Sequence, residues 1–296
     1  QVGTYQRKAA TARQQEGRCC SSRRSTRGWR VKTALSLENF GFQARPTATS
    51  DMLIAVFLWV FTLSSSSKLP PPQSSLPNID PRQMAVLGVD THLPAVPVEA
   101  QTPDALRQRF ALPPLWQPEI ESEKSFSVRP PAHASILLPI VMREQPMVLL
   151  TERTAHLSTH SGQVAFPGGR ADPQDPNPVA TALREAEEEV GLDARFVQVL
   201  GTLPTYATAS SFIISPVVAL VQPDCVLRPN PYEVAEIFEV PLAFLLNPAH
   251  HQRHAWEWQG VRREWFAMPY QSGAKNHFIW GATAGILRNF YRFMRA

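Results

Sequence analysis

The sequence predicts an α/β (α+β) fold, a mixed set of strands with helices on both sides. Three observations carry this expectation. Residues 134–141 (ASILLPIV) and 212–221 (FIISPVVALV) are nearly continuous apolar runs of strand length. Val179, Leu183, Ala186 and Val190 step by four, three and four, which draws an apolar stripe along one side of a helix. The C-terminal run GATAGILRNFYRFMR spaces Ile286, Phe290 and Phe293 for a helix that closes the domain.

The other elements follow in chain order. Residues 102–110 read as a short helix, with Thr102 as N-cap and Pro103 in the first turn. A Pro-rich link covers 113–131. Strands at 134–141 and 146–151 flank Arg143, Glu144 and Gln145, the pattern of a hairpin. Residues 164–166 form a strand end that runs through Pro167 into a flexible bend at Gly168 and Gly169. After the acidic helix, Gly191 stands where a left-handed stop belongs. Strands are expected at 196–203 and 212–221, with a polar loop at 206–211, and again at 235–240. A short helix at 242–246 precedes a hairpin of 256–258 with 263–268 around Gly260. There is no internal repeat.

The 296 residues suffice for one domain with a core and an appendage. The formal charge of +4 is unevenly placed. Ten Lys/Arg and two acids fall in residues 1–50, a net of +8, and the remainder holds 19 basic and 23 acidic residues. A nucleic-acid footprint should sit on the folded part, so nucleic acid is not an expected partner. Cys19, Cys20 and Cys225 make no disulfide framework, which points to a reducing compartment and a cytoplasmic location. Residues 52–63 (MLIAVFLWVFTL) are apolar but shorter than the roughly 20 needed to cross a bilayer. No membrane association is expected, although a signal or anchor role for this stretch stays open. A Ser/Pro linker follows at 64–81. Residues 1–83 are therefore expected to be a disordered extension outside the working enzyme, with Met84 as its start. Residues 84–130 are expected to form an N-terminal helix and linker, and 131–296 the main domain.

Chemistry is concentrated in one helix. Arg184, Glu185, Glu188, Glu189 and Gly191 are spaced R-E-x-x-E-E-x-G. Positions three and four apart share a side of a helix, so Glu185 stands beside Glu188 and Glu189. Three carboxylates so close repel one another unless a cation sits among them. Hard oxygen donors in that number suit Mg²⁺ or Mn²⁺. The glycines ahead of the helix let backbone approach a ligand, and a Gly carbonyl can itself bind a cation. Arg184 precedes Glu188 by four residues and can orient a carboxylate. Glu187 lies about 100° away from its helical neighbours and reads as an exposed charge. A merely solvated acidic face is the plainer reading of such a run. The double glycine, the Arg-Glu start and the Gly stop, all in order, argue against it.

These residues resemble the signature of Nudix hydrolases, G-x5-E-x7-R-E-U-x-E-E-x-G-U with U apolar. Gly169, Arg184, Glu185, Ala186, Glu188, Glu189, Gly191 and Leu192 match it. The first acidic position departs: it is Asp175, and eight residues rather than seven separate it from Arg184. Upstream, Leu149-Leu150-Thr151-Glu152-Arg153-Thr154, then Leu157, His160, Gly162, Gln163, Val164 and Phe166 form a second block. It resembles the L-L-T-x-R-[ST]-x-x-L-x-x-H-x-G-x-V-x-F-P-G-G motif of the coenzyme A pyrophosphatase branch. Ser210-Ser211-Phe212 stands where that branch shows S-G-F. The resemblance implies an α/β/α sandwich over 131–296. It implies metal binding by Glu185, Glu188 and Glu189, with the Gly168 carbonyl as an added ligand. It implies substrate recognition by Arg153, His160, Gly162 and Gln163, in which Arg153 and His160 would donate to phosphate oxygens. For Arg153 the alternative is an ion pair with Glu152 or a helix carboxylate; for His160 it is a loop histidine that holds the backbone. Nudix enzymes often carry a further metal-binding or base Glu on a later loop. Glu233 is the choice here and Glu236 the reserve, an exposed loop acid being the alternative for either.

The implied reaction is metal-dependent hydrolysis of the pyrophosphate of coenzyme A, free or acylated. It yields 3′,5′-ADP and 4′-phosphopantetheine, and one of the helix carboxylates, with Glu185 a candidate, or a residue from a later loop accepts the water's proton. Two other readings stand beside it. One keeps the chemistry and takes another nucleoside diphosphate derivative, such as ADP-ribose. The other is a non-catalytic Nudix ligand-binding module, against which the three intact helix carboxylates count. The expected partner is a small molecule, and a homodimer stays open. Trp256, Trp258, Trp265 and Trp280 have the rings to stack on adenine, but core packing is the more frequent fate of Trp, so they are left out of the site.

Overall fold

The computed structural model describes residues 80–125, 130–155, 162–258 and 260–296. The expectations for residues 1–79, including the apolar stretch 52–63, and for His160 lie outside them. The described residues belong to one unit, Gln73–Ala296. In chain order the elements are Val86–Val89 (β1), Pro103–Ala111 (α1), Ala132–Met142 (β2), Pro146–Arg153 (β3), Val164–Ala165 (β4), Gly168–Arg170 (β5) and Pro178–Val190 (α2). Then come Val197–Thr202 (β6), Tyr206–Ala207 (β7), Phe212–Val221 (β8), Val234–Pro241 (β9) and Leu242–Leu245 (α3). Gln252–Trp258 (β10), Val261–Ser272 (β11), Lys275–Trp280 (β12) and Gly281–Arg295 (α4) complete the chain.

A large mixed sheet runs β4-β3-β2-β8-β6, with β5 added to β2, β7 to β8 and β9 to β3. Its centre is the parallel pair β2 and β8, in register from Ala132↔Phe212 to Val141↔Val221. Successive strand residues face opposite sides, and the sequence uses both. Leu137, Val141 and Leu149 pack with Ala182, Ala186 and Val190 of α2. Leu138, Ile140, Val148 and Leu150 pack on the other side with Ile286, Leu287 and Phe290 of α4. The expected sandwich is therefore present, with α2 on one face and α4, α1 and α3 on the other. Burial on both faces explains why β2 and β8 read as unbroken apolar runs.

The helices begin and end on local signals. The Thr102 hydroxyl accepts from the Ala105 N–H at 3.3 Å and caps α1. The Asn177 side chain accepts from the Ala180 N–H at 3.0 Å, and Pro178 opens α2. Gly191, with φ 66°, ends α2 in the left-handed region, its N–H donating to the Glu187 carbonyl at 2.9 Å.

Three expectations are corrected. Gly168 and Gly169 are not a free bend but part of β5, paired to β2 through Ile136↔Gly168 and Ser135↔Gly169. Only a glycine fits this edge, since a Cβ on Gly168 would lie 2.5 Å from the Ser135 carbonyl oxygen. Residues 206–207 of the expected polar loop pair with β8. The hairpin of β10 and β11 is longer than expected and belongs to a second sheet, β1-β10-β11-β12, whose two outer strands the sequence pattern did not announce. Among the described residues no helix is long and apolar enough to cross a membrane.

Candidate active site

The site forms where α2 meets β5 and the end of β3. Because α2 lays Ala182, Ala186 and Val190 into the core, its Glu185 and Glu189 emerge along the flank that faces β5. Glu189 is almost fully buried, at 3 % exposure. Its Oε2 accepts from the Gly168 N–H at 3.1 Å, and its Oε1 lies 3.4 Å from Nη1 of Arg153. Burial pushes the Glu189 carboxyl up to about 7, with the charges of Glu233 and Glu185 adding and the Gly168 N–H and Arg153 opposing. Glu185 is also raised, first by burial and further by Glu188 and Glu233, against Arg184. It rests against Gly169, where a Cβ would come to 2.6 Å from Glu185 Cδ. Glu188 is the outermost of the three, and Glu187 is exposed.

Arg184 binds this corner together. Its Nε and Nη2 donate to the two oxygens of Asp175 at 3.1 and 2.9 Å. Nη2 also donates to the Arg170 carbonyl at 3.1 Å. Nη1 reaches Glu185 Oε1 at 2.9 Å and Glu188 Oε2 at 3.2 Å. Asp175, the residue at the shifted motif position, is thus the bidentate partner of Arg184 despite the extra residue between them. The guanidinium holds its carboxyl far below the usual range. The spacing argument missed this pair, since it connects a loop to a helix rather than two turns of one helix.

Arg153 forms an ion pair with a helix carboxylate, which places it beside Glu189. Gly162 and Gln163 support it through the backbone. The Arg153 N–H donates to the Gln163 carbonyl at 3.0 Å, and the Gly162 N–H donates to the Arg153 carbonyl at 3.2 Å. Gly162 has φ 67°, which favours glycine there.

Glu233 lies on a loop sewn to both sides of the site. The Thr154 N–H donates to its carbonyl at 3.0 Å, and the Thr154 hydroxyl donates to the Tyr232 carbonyl at 3.1 Å. The Asn230 N–H donates to the Glu189 carbonyl at 2.8 Å. Its charge is felt by both Glu185 and Glu189. Glu236, by contrast, does not join this group. It faces the α4 side of β9, on the same side as Phe238, and pairs across the strands with Glu152. Lys275 binds both acids, lying 3.0 Å from Glu152. With His277 these two acids form a separate cluster whose ligand atoms lie within 4.8 Å of one another.

The arrangement can hold a cation. Its donors are carboxylate oxygens plus the backbone at Gly168, and Glu185 and Glu189 are raised because burial leaves their negative charge uncompensated.

The NUDIX domain matches residues 131–263. An uncharacterized Nudix hydrolase, NudL, of Photorhabdus laumondii is 45% identical over 155 residues, covering 52% of this chain and 81% of the relative. The Escherichia coli protein of the same description is 42% identical over 156 residues, covering 52% and 79%. The NUDIX domain of Shewanella oneidensis NrtR, solved with ADP ribose, aligns with TM-score 0.33 at 21% identity over 40% of this chain and 77% of that one. With its signature residues gathered at α2 and a relative matched over four-fifths of that relative's length, the chain belongs to the Nudix hydrolase family.

Proposed function

We propose that this Nudix hydrolase cleaves the pyrophosphate of coenzyme A or its acyl derivatives, using Mg²⁺ or Mn²⁺. Water adds across one P–O bond of the P–O–P bridge; the products are 3′,5′-ADP and the 4′-phosphopantetheine half, and a proton is released. The observation that carries this reading is Glu189 held by the Gly168 N–H and Arg153, with Glu185 and Glu188 gathered beside it by Arg184, joined to the upstream block around Arg153.

Each residue has a task. Glu185, Glu188 and Glu189 would hold the ion with the Gly168 carbonyl, and Glu233 would add a ligand from the opposite loop. When bound, a divalent ion neutralises phosphate charge and makes a coordinated water more acidic. Arg184, fixed by Asp175, orients Glu185 and Glu188. The Gly168 N–H holds Glu189 in one orientation. Arg153, backed by Gly162 and Gln163, receives phosphate oxygens, for which a guanidinium is well shaped, and His160 shares that task. Glu185 accepts the proton of the attacking water.

The test is a substrate panel. The purified chain with Mn²⁺ should release 3′,5′-ADP from coenzyme A faster than it turns over ADP-ribose or nucleoside triphosphates. Absence of 3′,5′-ADP at micromolar enzyme rejects the substrate. Turnover of ADP-ribose alone would keep the chemistry and change the ligand.

A further inference from the structure

Three tryptophans that the sequence assigned to core packing converge on a cavity. Trp256 of β10, Trp265 of β11, Trp280 ahead of α4 and Tyr206 of β7 line a space of about 760 Å³. That volume suits a nucleotide-sized ligand. The walls are held in place. The Trp265 and Trp280 rings meet edge to face, 6.3 Å between centroids and 68° between planes. The Tyr206 hydroxyl donates to Glu123 Oε1 at 2.8 Å.

Two of the residues that line the cavity, Lys124 and Arg262, are exposed cations. Lys124 Nζ donates to the Arg262 carbonyl at 2.8 Å and pairs with no carboxylate among the described residues. Arg262 pairs with Glu264 at 2.8 Å, but both side chains are exposed, and such a pair costs little to open. The other acids on the wall are already engaged: Glu123 accepts from Tyr206 and the Ala209 N–H, and Glu119 binds Arg288 and Arg292.

Strand register measures the distance along the sheet, from the cavity on its α4 side to the strand beside the carboxylate helix on its other side. Tyr206 pairs with Ile214, Ile214 with Ala134, and Ala134 with Arg170. Three strand steps of about 4.8 Å set Tyr206 about 14 Å from Arg170, whose carbonyl Arg184 holds. From the other side, the Thr283 hydroxyl of α4 donates to the Val164 carbonyl at 3.0 Å, just ahead of β5. This separation is on the scale of a nucleoside joined to a pyrophosphate.

We propose that this cavity seats the purine of the substrate, and that Lys124 and Arg262 take a phosphomonoester on its ribose. The inference rests on the reading of the substrate as a nucleotide-containing pyrophosphate. It is tested without turnover, by calorimetric titration of adenosine 3′,5′-bisphosphate into the full chain carrying Glu188→Gln. Adding Lys124→Ala and Arg262→Ala should weaken the bisphosphate about tenfold and adenosine 5′-monophosphate by less than about twofold, as removal of phosphate-specific charge requires. Adding Trp256→Ala should weaken both about tenfold, the loss expected for one stacking partner. Unchanged bisphosphate affinity in the rim variant, or in Trp256→Ala with an unaltered circular dichroism spectrum, overturns the inference. Turnover of coenzyme A with an unaltered KM when Lys124→Ala and Arg262→Ala are placed in the parent chain, with Glu188 intact, overturns it too, while leaving the proposed function standing. Bisphosphate binding that responds to these variants, in a chain that does not cleave coenzyme A, upholds the cavity and rejects the substrate.

Discussion

Glu189 sets the site's requirements against those of stability. Its carboxyl is buried and raised from 4.5 to about 7, so the folded chain holds a proton that the unfolded chain would release. For an acid whose folded pKa is raised, the favourable contribution is complete below the unfolded value and is lost as pH rises through the folded one. Metal-free protein should therefore lose on the order of 3 kcal/mol from this group between pH 4.5 and 8. Glu189→Gln removes that dependence. Urea unfolding in chelator should find the variant more stable than the parent at pH 8 and closer to it at pH 5. If Glu189 holds the ion as proposed, the same variant should lose activity by about 100-fold or more. A parent–variant difference that does not change with pH would refute this account. Arg184 makes a different prediction. Its two nitrogens grip Asp175 while a third reaches Glu185 and Glu188, a geometry an ammonium cannot copy. Arg184→Lys should lower kcat/KM by about 10- to 100-fold with folding intact.

At the scale of elements, the active corner is a close approach between a helix and an edge strand. Glu185 lies against Gly169, and any Cβ there displaces the carboxylate rather than backbone. Gly169→Ala should thus fold normally by circular dichroism yet bind Mn²⁺ about tenfold more weakly, as expected when a ligand is moved. Paramagnetic relaxation of water protons would measure it, and unchanged Mn²⁺ affinity would remove Glu185 from the ligand set. The stop at Gly191 is a separate matter of backbone. Its φ of 66° costs a non-glycine residue about 1–2 kcal/mol, so Gly191→Ala should lower stability by that amount. The Asn230–Glu233 loop is tied to both α2 and β3, so a shifted helix end would carry Glu233 with it.

For the whole molecule, the second sheet and the segment before β2 are anchored on the buried side of α4. Arg288 is fully buried there. Its Nε donates to Glu119 at 2.6 Å, Nη1 lies 3.1 Å from His251 Nδ1, and Nη2 lies 2.8 Å from Asp90 without hydrogen-bond alignment. Arg253 closes the ring, donating to Asp90 at 2.9 and 2.8 Å and to Glu119 at 3.0 Å. Asp90 follows β1, Glu119 precedes β2, and Arg253 lies on β10, so four distant stretches meet in one network. Removing one partner strands a buried charge. Arg288→Ala should destabilise by about 3–5 kcal/mol, whereas a change of the exposed Arg195–Asp193 pair should cost less than about 1 kcal/mol. Equal midpoint shifts in denaturant would contradict this assignment.

The sequence by itself determined α2, its stop at Gly191, and the clustering of Glu185, Glu188 and Glu189, because these depend on period and on residues within a turn or two. It also determined β2, β3 and β8, whose apolar runs declare burial on both faces. Only the tertiary structure decided what distant segments do to one another. Asp175 came to Arg184, and Glu236 turned to the far face of the sheet. The glycine bend became an edge strand, and β1 and β12 found partners that no local pattern names. The tryptophans were legible as residues but not as a cavity, since their meeting requires β10, β11 and the start of α4 to be in place. Period and capping are properties of neighbours along the chain, whereas pairing, facing and enclosure are fixed by burial summed over the whole fold.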